Sequence, residues 1–123
     1  MINFHVAGTP VPKQSFHIGK YGNGYRDHRV SAWQKEIAWV ARAAMRGLAP
    51  FREHLAVRLS FVLPTRRRVD LDNLSKAVLD ACNGIVWIDD RQVTELHLRK
   101  TVGEDAGVTI NVEPVYEEEE EYV

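Results

Sequence analysis

Five carboxylates and four arginines lie within the stretch "RRRVDLDNLSKAVLDACNGIVWIDDRQ", residues 66–92. Asp70 and Asp72 are two positions apart, and in an extended segment this spacing directs both side chains to one face. A hard cation such as Mg²⁺ takes few protein oxygens, because it keeps several waters and also binds substrate phosphates. The pair therefore suits half of a Mg²⁺ site, and Asp89 and Asp90 are the candidates for the other half.

Basic residues flank these carboxylates on both sides. Lys76 follows Asp72 by four residues, which places the two on the same face of a helix. A lysine there would hold the carboxylates in place or neutralise charge that develops on a phosphate. Arg66, Arg67 and Arg68 precede the aspartates directly and are candidates for contacts with the same phosphodiester backbone.

Simpler roles also account for the individual residues. Asp72 alone fits a helix N-cap, and Asp72 with Lys76 fits a surface ion pair that contributes about a few tenths of a kcal/mol. A lone D-x-D also occurs in sugar-nucleotide glycosyltransferases and aspartyl-phosphate enzymes. An EF-hand loop is excluded, because Leu74 and Ser75 stand where an oxygen ligand and a glycine are required. From spacing alone, a metal site and a solvated surface both remain open.

Apolar alternation with a period of two predicts the strands that position these residues. The strongest pattern runs from Leu55 to Leu63 and ends at Pro64. The inward-facing residues of the other strands are predicted to be Ile2, Phe4 and Val6, then Leu96 and Leu98 in a strand around 93–100, and finally Val108, Ile110 and Val112.

Two helices are predicted between the strands. Ser31 and Gln34 have the spacing of a capping box, which predicts a helix over 32–46 with Gly47 as its C-terminal cap. Asp72 is predicted to cap the second helix, which closes at 83–84. Residues 13–30 are predicted to form a long loop with room for a short hairpin. The order of elements predicts an α/β (α+β) domain in which two main helices pack on a mixed four-stranded sheet.

The composition indicates one ordinary globular domain. The chain has 123 residues, of which 45% are apolar and 27% charged. Five consecutive glutamates occupy 117–121; without them 16 basic side chains face 12 acidic ones, so the remainder carries a net charge of +4. A run of like charges repels itself. The sequence therefore predicts one mildly basic domain over 1–116 and a disordered acidic tail over 117–123.

Several classes of protein are excluded at this stage. The single cysteine, Cys82, rules out an internal disulfide and is predicted to be a small core residue. No apolar run is long enough to span a membrane, and the N-terminus lacks the pattern of a signal peptide. These features lead us to expect a cytoplasmic protein.

The charged stretch resembles a known family. Over residues 64–100 it is similar to the signature region of the RusA-like Holliday-junction resolvases, small endodeoxyribonucleases of bacteria and phages. The resemblance consists of a basic run, then D-L-D-N-L-x-K, then a helix that ends near Gly84, and finally W-x-D-D-x-Q-V. The N-terminal segment "VAGTPVPKQSF" resembles phage-type members.

This resemblance implies a RusA-like homodimer that binds four-way DNA junctions and cuts two strands symmetrically with Mg²⁺ or Mn²⁺. By position, it implies that Asp70, Asp72 and Asp90 are catalytic and bind the metal, with Lys76 as the supporting cation; Asp89, directly before Asp90, matches the other aspartate of the family's pair. Members often carry a basic residue directly before the first aspartate, where this chain has Val69. Arg68 is the candidate to replace it.

A second basic segment is predicted to contact DNA. Lys13, Lys20, Arg26 and Arg29 alternate with aromatic residues in the loop, a composition that suits backbone contacts and stacking on unpaired bases. A solvated loop is the alternative. Trp33 and Trp39 are assigned to the core or to a dimer interface.

Two other functions compete with nuclease activity. One is a non-catalytic DNA-junction-binding protein of prophage origin, against which the intact set of aspartates and lysine argues. The other is a D-x-D sugar-nucleotide enzyme, which is disfavoured because the chain is short and has no glycine-rich nucleotide loop.

Overall fold

A four-stranded mixed sheet forms the framework of the chain, as the sequence predicts. The structure is a computed structural model that describes residues 1–13, 17–18, 24–25, 28–66 and 68–116. In chain order the elements are β1 (Ile2–Ala7), β2 (His17–Ile18), β3 (Gly24–Tyr25), α1 (His28–Met45), β4 (Leu55–Leu63), α2 (Leu71–Cys82), a 3₁₀ helix (Asp90–Gln92), β5 (Val93–Val102) and β6 (Gly107–Pro114). The strand order of the sheet is β1-β6-β4-β5, in which β6 runs antiparallel to both of its neighbours and β5 runs parallel to β4.

The long loop contains the short hairpin for which the sequence left room. β2 and β3 pair antiparallel, with His17 opposite Tyr25. Gly22-Asn23-Gly24 has the composition of a turn, and of these three residues only Gly24 lies within the described part of the chain.

The hydrophobic core lies between the sheet and the two helices. The alternating residues of β4 from Leu55 to Leu63 are all buried, and so are Val108, Ile110 and Val112 of β6. Each such side chain contributes about 1.5–3 kcal/mol when it is removed from water. From the helices, the core receives Trp33, Ile37, Ala41 and Met45 of α1 and Leu74, Ala77, Val78 and Cys82 of α2. The prediction of a core position is confirmed for Cys82 and Trp33, whereas Trp39 is 72% exposed.

Helix α1 begins earlier than its sequence signal predicts. It starts at His28, so the predicted capping box at Ser31 and Gln34 is wrong. The amide of Gln34 instead donates to the carbonyl oxygen of Ala77 at 3.2 Å and joins the two helices. The predicted end is confirmed, because the helix stops at Met45 and Gly47 adopts a left-handed conformation with φ 77°.

Helix α2 also begins before its predicted cap. Leu71 is its first residue and Asp70 occupies the N-cap position, so the assignment of Asp72 as the cap is wrong. The predicted end is confirmed, since the helix stops at Cys82 and Gly84 has a φ of 79°.

Strand β5 lies at an edge of the sheet and is exposed along most of its length. Eight of its ten residues are exposed. Both leucines lie on the helix-covered face, as predicted, and Leu98 packs against the core, but Leu96 is 40% exposed. The reason is position: Leu96 has the correct face, opposite buried Val57, but it lies in the outermost strand.

No helix among the described residues is both long and apolar enough to cross a membrane.

Candidate metal and DNA site

Asp70 and Asp72 lie together where α2 begins. Asp70 is in an extended conformation (φ −73°, ψ 133°), and its side chain makes no capping hydrogen bond. Asp72 lies in the first turn of the helix, and both residues are exposed. The N-terminus of a helix carries partial positive charge, which favours carboxylates at these positions. Among the described residues neither carboxylate is used as a structural acceptor, so both remain available to a cation, and oxygen donors of this kind suit Mg²⁺.

The first turn of α2 is fixed from within the core. Ser75 is the one buried polar side chain among the described residues, at 4% exposure, and its hydroxyl donates to the carbonyl oxygen of Asp72 at 2.8 Å. The backbone N–H of Leu74 donates to the carbonyl oxygen of Asp70 at 3.0 Å. The backbone that carries the two aspartates is therefore held without using their carboxylates.

Lys100 is a basic residue of this region that the sequence analysis missed. It lies on β5 opposite Phe61, on the face covered by the helices, and its ammonium group donates to the carbonyl oxygen of Val69 at 2.5 Å. Val69 directly precedes Asp70, and its side chain packs against the core. The available signal was a lysine at the same alternating positions as Leu96 and Leu98.

Lys76 is exposed and lies one helical turn beyond Asp72. Within the described part of the chain, the two residues form no ion pair, so the reading of this spacing as a simple surface salt bridge is not supported. The ammonium group of Lys76 is accessible to an anion from outside.

Asp89 has a structural role at the other end of α2. Its carboxylate accepts a hydrogen bond from the backbone N–H of Arg91 at 2.9 Å and caps the 3₁₀ helix. The side chain of Gln92 accepts from the backbone N–H of Asp89 at 3.0 Å, which completes a capping box. The hydrogen bond from the Arg91 backbone, together with the nearby guanidinium group, lowers the pKa of the Asp89 carboxyl. Asp90 takes no part in this cap and is the better ligand candidate of the two.

One chain does not bring Asp90 to the other two aspartates. The amide of Gln92 donates to the carbonyl oxygens of Phe51 and Glu53 at 2.8 and 2.9 Å, which fixes the Asp90 turn beside the beginning of β4. Asp70 follows the end of β4. Between them lies α2, whose 12 residues span about 18 Å at 1.5 Å per residue.

Within one chain, Asp90 therefore lies at the opposite end of α2 from Asp70 and Asp72. No group of three His, Cys, Asp or Glu residues among those described is arranged to hold a metal ion. The cause is the parallel pairing of β4 and β5, because a crossover returns the chain to the end of the sheet where β4 started.

The arginines before Asp70 flank the carboxylates. Arg66 and Arg68 are exposed on the segment between β4 and α2, while Arg67 lies outside the described residues. Arg66 and Arg68 precede Asp70 by four and two residues. A phosphodiester group held near Asp70 and Asp72 would therefore lie close to both arginines.

The predicted DNA-contacting residues of the N-terminal loop are only partly described. Lys20 and Arg26 lie outside the described residues, and Arg29 is exposed in the first turn of α1. The backbone N–H of Lys13 donates to the carbonyl oxygen of Asn73 at 2.9 Å, and its ammonium group pairs with Asp80. This segment therefore lies along α2, and the charge of Lys13 is shared with a carboxylate rather than left entirely for DNA.

The chain is similar to known proteins over most of its length. The family model described as Endodeoxyribonuclease RusA matches residues 7–113, a range that includes every aspartate discussed above. A protein of Aquifex aeolicus named crossover junction endodeoxyribonuclease RusA is 30% identical over 117 residues, which cover 92% of this chain and 91% of the relative. Proteins with the same name from Escherichia coli K12 and Enterobacteria phage 82 are each 33% identical over 85 residues, covering 68% of this chain and 63% of each relative.

Proposed function

The chain belongs to the RusA endodeoxyribonuclease family, and from this premise we propose that it resolves four-way DNA junctions by symmetric paired nicking during recombination and repair. The observation that carries the proposal is the pair of carboxylates at the start of α2, which are exposed and take no part in capping. Because neither carboxylate caps the helix, both remain available to bind a ligand.

A divalent cation, Mg²⁺ with Mn²⁺ as a substitute, supplies the remaining chemistry: it activates a water molecule and stabilises charge on the phosphate. Asp70 and Asp72 would hold this ion. Lys76, accessible one turn further along α2, would contact the phosphate that is cut. Arg66, Arg67 and Arg68 would hold the DNA backbone next to it, and Lys20, Arg26 and Arg29 would extend the contact toward the junction.

The third ligand, Asp90, requires a second copy of the chain. Since α2 separates Asp90 from Asp70 by about 18 Å, a site that uses both would take Asp90 from the partner subunit. A two-fold dimer would then contain two equivalent sites, and a four-way junction with near two-fold symmetry offers two equivalent phosphates.

Because the substrate is chromosomal or phage DNA, we place the activity in the cytoplasm.

The test uses a labelled synthetic four-way junction and a linear duplex of the same sequence, each incubated with Mg²⁺ or with EDTA. We expect paired symmetric nicks in the junction alone, lost with EDTA and lost in Asp72→Asn while junction binding persists. Binding without cleavage by the unmodified protein would support a non-catalytic junction-binding protein instead. Equal cleavage of the linear duplex would contradict the assignment as a resolvase.

A further inference from the structure

The middle of β5 has a self-complementary pattern of side chains. Residues 95–99 read Glu-Leu-His-Leu-Arg, so each residue on one side of His97 has a counterpart of the same kind, or of opposite charge, on the other side. Glu95, His97 and Arg99 lie on the open face of the sheet, and Leu96 and Leu98 on the helix-covered face. In the described part of the chain no strand pairs with the outer edge of β5.

We propose that β5 pairs antiparallel with β5 of a second copy of this chain, with His97 on the two-fold axis. This inference rests on the homodimer of the proposed function and identifies its interface. Glu95 would lie opposite Arg99 of the partner subunit, and Leu96 opposite the partner's Leu98. The two four-stranded sheets would join into one sheet of eight strands.

Symmetry restricts the possible registers to a few. Residues opposite each other in an antiparallel pair point to the same face. A two-fold axis perpendicular to the sheet must therefore pass midway between one residue and the same residue of the partner subunit. An axis at Leu98 would place Leu96 opposite the partner's Lys100. An axis at Leu96 would place Glu95 opposite the partner's His97 and leave Arg99 without a carboxylate. The axis at His97 alone yields two Glu–Arg pairs and two Leu–Leu pairs, which are the favourable cross-strand combinations.

Charged residues on an edge strand have a competing explanation, because they often prevent strands from pairing with other molecules. Such protection requires charge but not a pattern that reverses sign about one residue. The exposed apolar groups of β5 also argue for a partner: Leu96 is 40% exposed and Val102 is 53% exposed, both on the helix-covered face. Pairing with a second copy would cover Leu96 from the side.

This arrangement would also relate the two halves of the metal site. In antiparallel pairing, the beginning of one β5 lies beside the end of the other. Asp90 comes three residues before Val93, and Lys100 near the far end of β5 contacts the segment that carries Asp70. Asp90 of one subunit would therefore approach the end of the sheet where Asp70 and Asp72 of the partner subunit lie, on an assembly whose helices all cover the same face.

Charge reversal gives the decisive test, measured by sedimentation velocity. For the unmodified chain we expect a dimer of twice 14.0 kDa. Glu95→Arg and Arg99→Glu should each raise the dimer dissociation constant at least tenfold, because each creates two like-charge pairs. An equimolar mixture of these two variants, and the double variant, should both regain dimerisation. Glu113→Arg, an exposed reversal on β6, is the matched control and should change nothing.

Cross-linking provides a second measurement. Residues that face each other across strands have Cα atoms about 4.5–5.5 Å apart, which suits a disulfide. His97→Cys should form a covalent dimer in oxidised glutathione, whereas Thr101→Cys, which faces Val93 of the partner subunit in this register, should not. Cys82 does not interfere, because it is fully buried and burial raises the pKa of its thiol to about 12.

The outcomes separate this inference from the proposed function. Unchanged dimerisation in both single variants, without cross-linking through position 97, would overturn the β5 interface and leave the nuclease assignment intact. A chain that cuts junctions but stays monomeric with and without DNA would overturn the interface and the shared site together.

Discussion

Lys100, from the edge strand, donates a hydrogen bond to the carbonyl oxygen of Val69, the residue directly before Asp70. This contact joins β5 to the turn that presents the first carboxylate, and it places an ammonium group beside the position where many family members carry a basic residue. Val69, where the sequence pattern calls for a basic residue, therefore has the ammonium group of Lys100 next to it. This cation comes from β5, whereas the sequence suggested Arg68 as the replacement.

Replacing Lys100 with methionine should weaken metal binding. The substitution keeps the length of the side chain but removes the donor that holds the Val69 carbonyl, so the turn before Asp70 loses a contact. A hydrogen bond from a charged donor contributes about 1.5–3 kcal/mol to the stability of the structure that it holds, and because only part of this acts on the Asp70 carboxylate, we expect the affinity to fall by at most roughly tenfold. The measurement is a titration of the free protein with Mn²⁺, followed by electron paramagnetic resonance.

Lys35→Met, a change at an exposed lysine of α1, is the matched control for loss of one positive charge. It should leave the Mn²⁺ affinity within twofold of the unmodified protein. Lys100→Arg should retain most of the affinity. Equal affinities in the methionine variants at 100 and 35 would show that the contact with Val69 does not support the metal site.

Mixed dimers should reveal whether Asp90 is shared between subunits. Asp72→Asn and Asp90→Asn should each abolish cleavage alone. If each site combines Asp70 and Asp72 of one subunit with Asp90 of the other, a dimer with one chain of each kind contains one intact site and one doubly defective site. We therefore expect the mixture to nick one strand of the junction, measured with each strand labelled in turn. Continued inactivity of the mixture, with heterodimers demonstrated, would mean that each chain supplies its own Asp90.

Asp89 and Asp90 should separate stability from activity. Asp89→Ala removes the cap of the 3₁₀ helix and should lower the midpoint of thermal unfolding with cleavage retained at lower temperature. Asp90→Asn should leave the midpoint unchanged and abolish cleavage. Scanning calorimetry and the junction assay on both proteins provide the comparison, and the reverse pattern would exchange the two roles.

The same cap predicts a pH dependence. The pKa of Asp89 is lowered in the folded chain, chiefly by the backbone hydrogen bond from Arg91. Its contribution to stability is therefore present above the pKa of the unfolded chain, about 3.9, and is lost as the pH falls through the lower folded value. The unfolding midpoint of Asp89→Ala should approach that of the unmodified chain in this acidic range, and a constant difference from pH 7 downward would contradict the assignment.

Gly107 should be intolerant of any side chain. A Cβ atom there would lie 2.6 Å from the carbonyl oxygen of Val6, a backbone atom in the paired strand. Gly107→Ala should destabilise the fold by about 1–3 kcal/mol, the usual range for overpacking. Gly103→Ala, whose Cβ would meet only a side-chain methyl of Val62 at 3.1 Å, is the control and should cost less. Urea unfolding of both variants measures the difference.

Local features of the fold could be predicted from the sequence, whereas relations between distant elements could not. The alternation along β4 and the glycines at 47 and 84 report on their own neighbourhoods, and the structure confirms what they predict. The capping box predicted at Gln34 is wrong, because the amide of Gln34 donates to the carbonyl oxygen of Ala77 in the other helix, 43 residues away.

The same distinction explains what the sequence left undecided around the candidate site. The residues of β5 do not indicate that the strand lies at an edge of the sheet. The exposure of Leu96 could therefore not be predicted from the alternation of apolar residues along the strand. Nor does any local signal state that β5 runs parallel to β4, and that direction decides where Asp90 lies. By contrast, the position of Asp70 and Asp72 at the start of α2 follows from a local signal, the change from an extended segment to a helix.

The parallel direction of β5 determines how DNA cleavage would depend on the concentration of the protein. If the site is shared as proposed, a single chain has Asp70 and Asp72 at one end of the sheet and Asp90 at the other, so neither end contains a complete metal site. A monomer would therefore not cut DNA. Cleavage at low concentration would then rise with the square of the amount of protein, so that dilution alone turns the nuclease off.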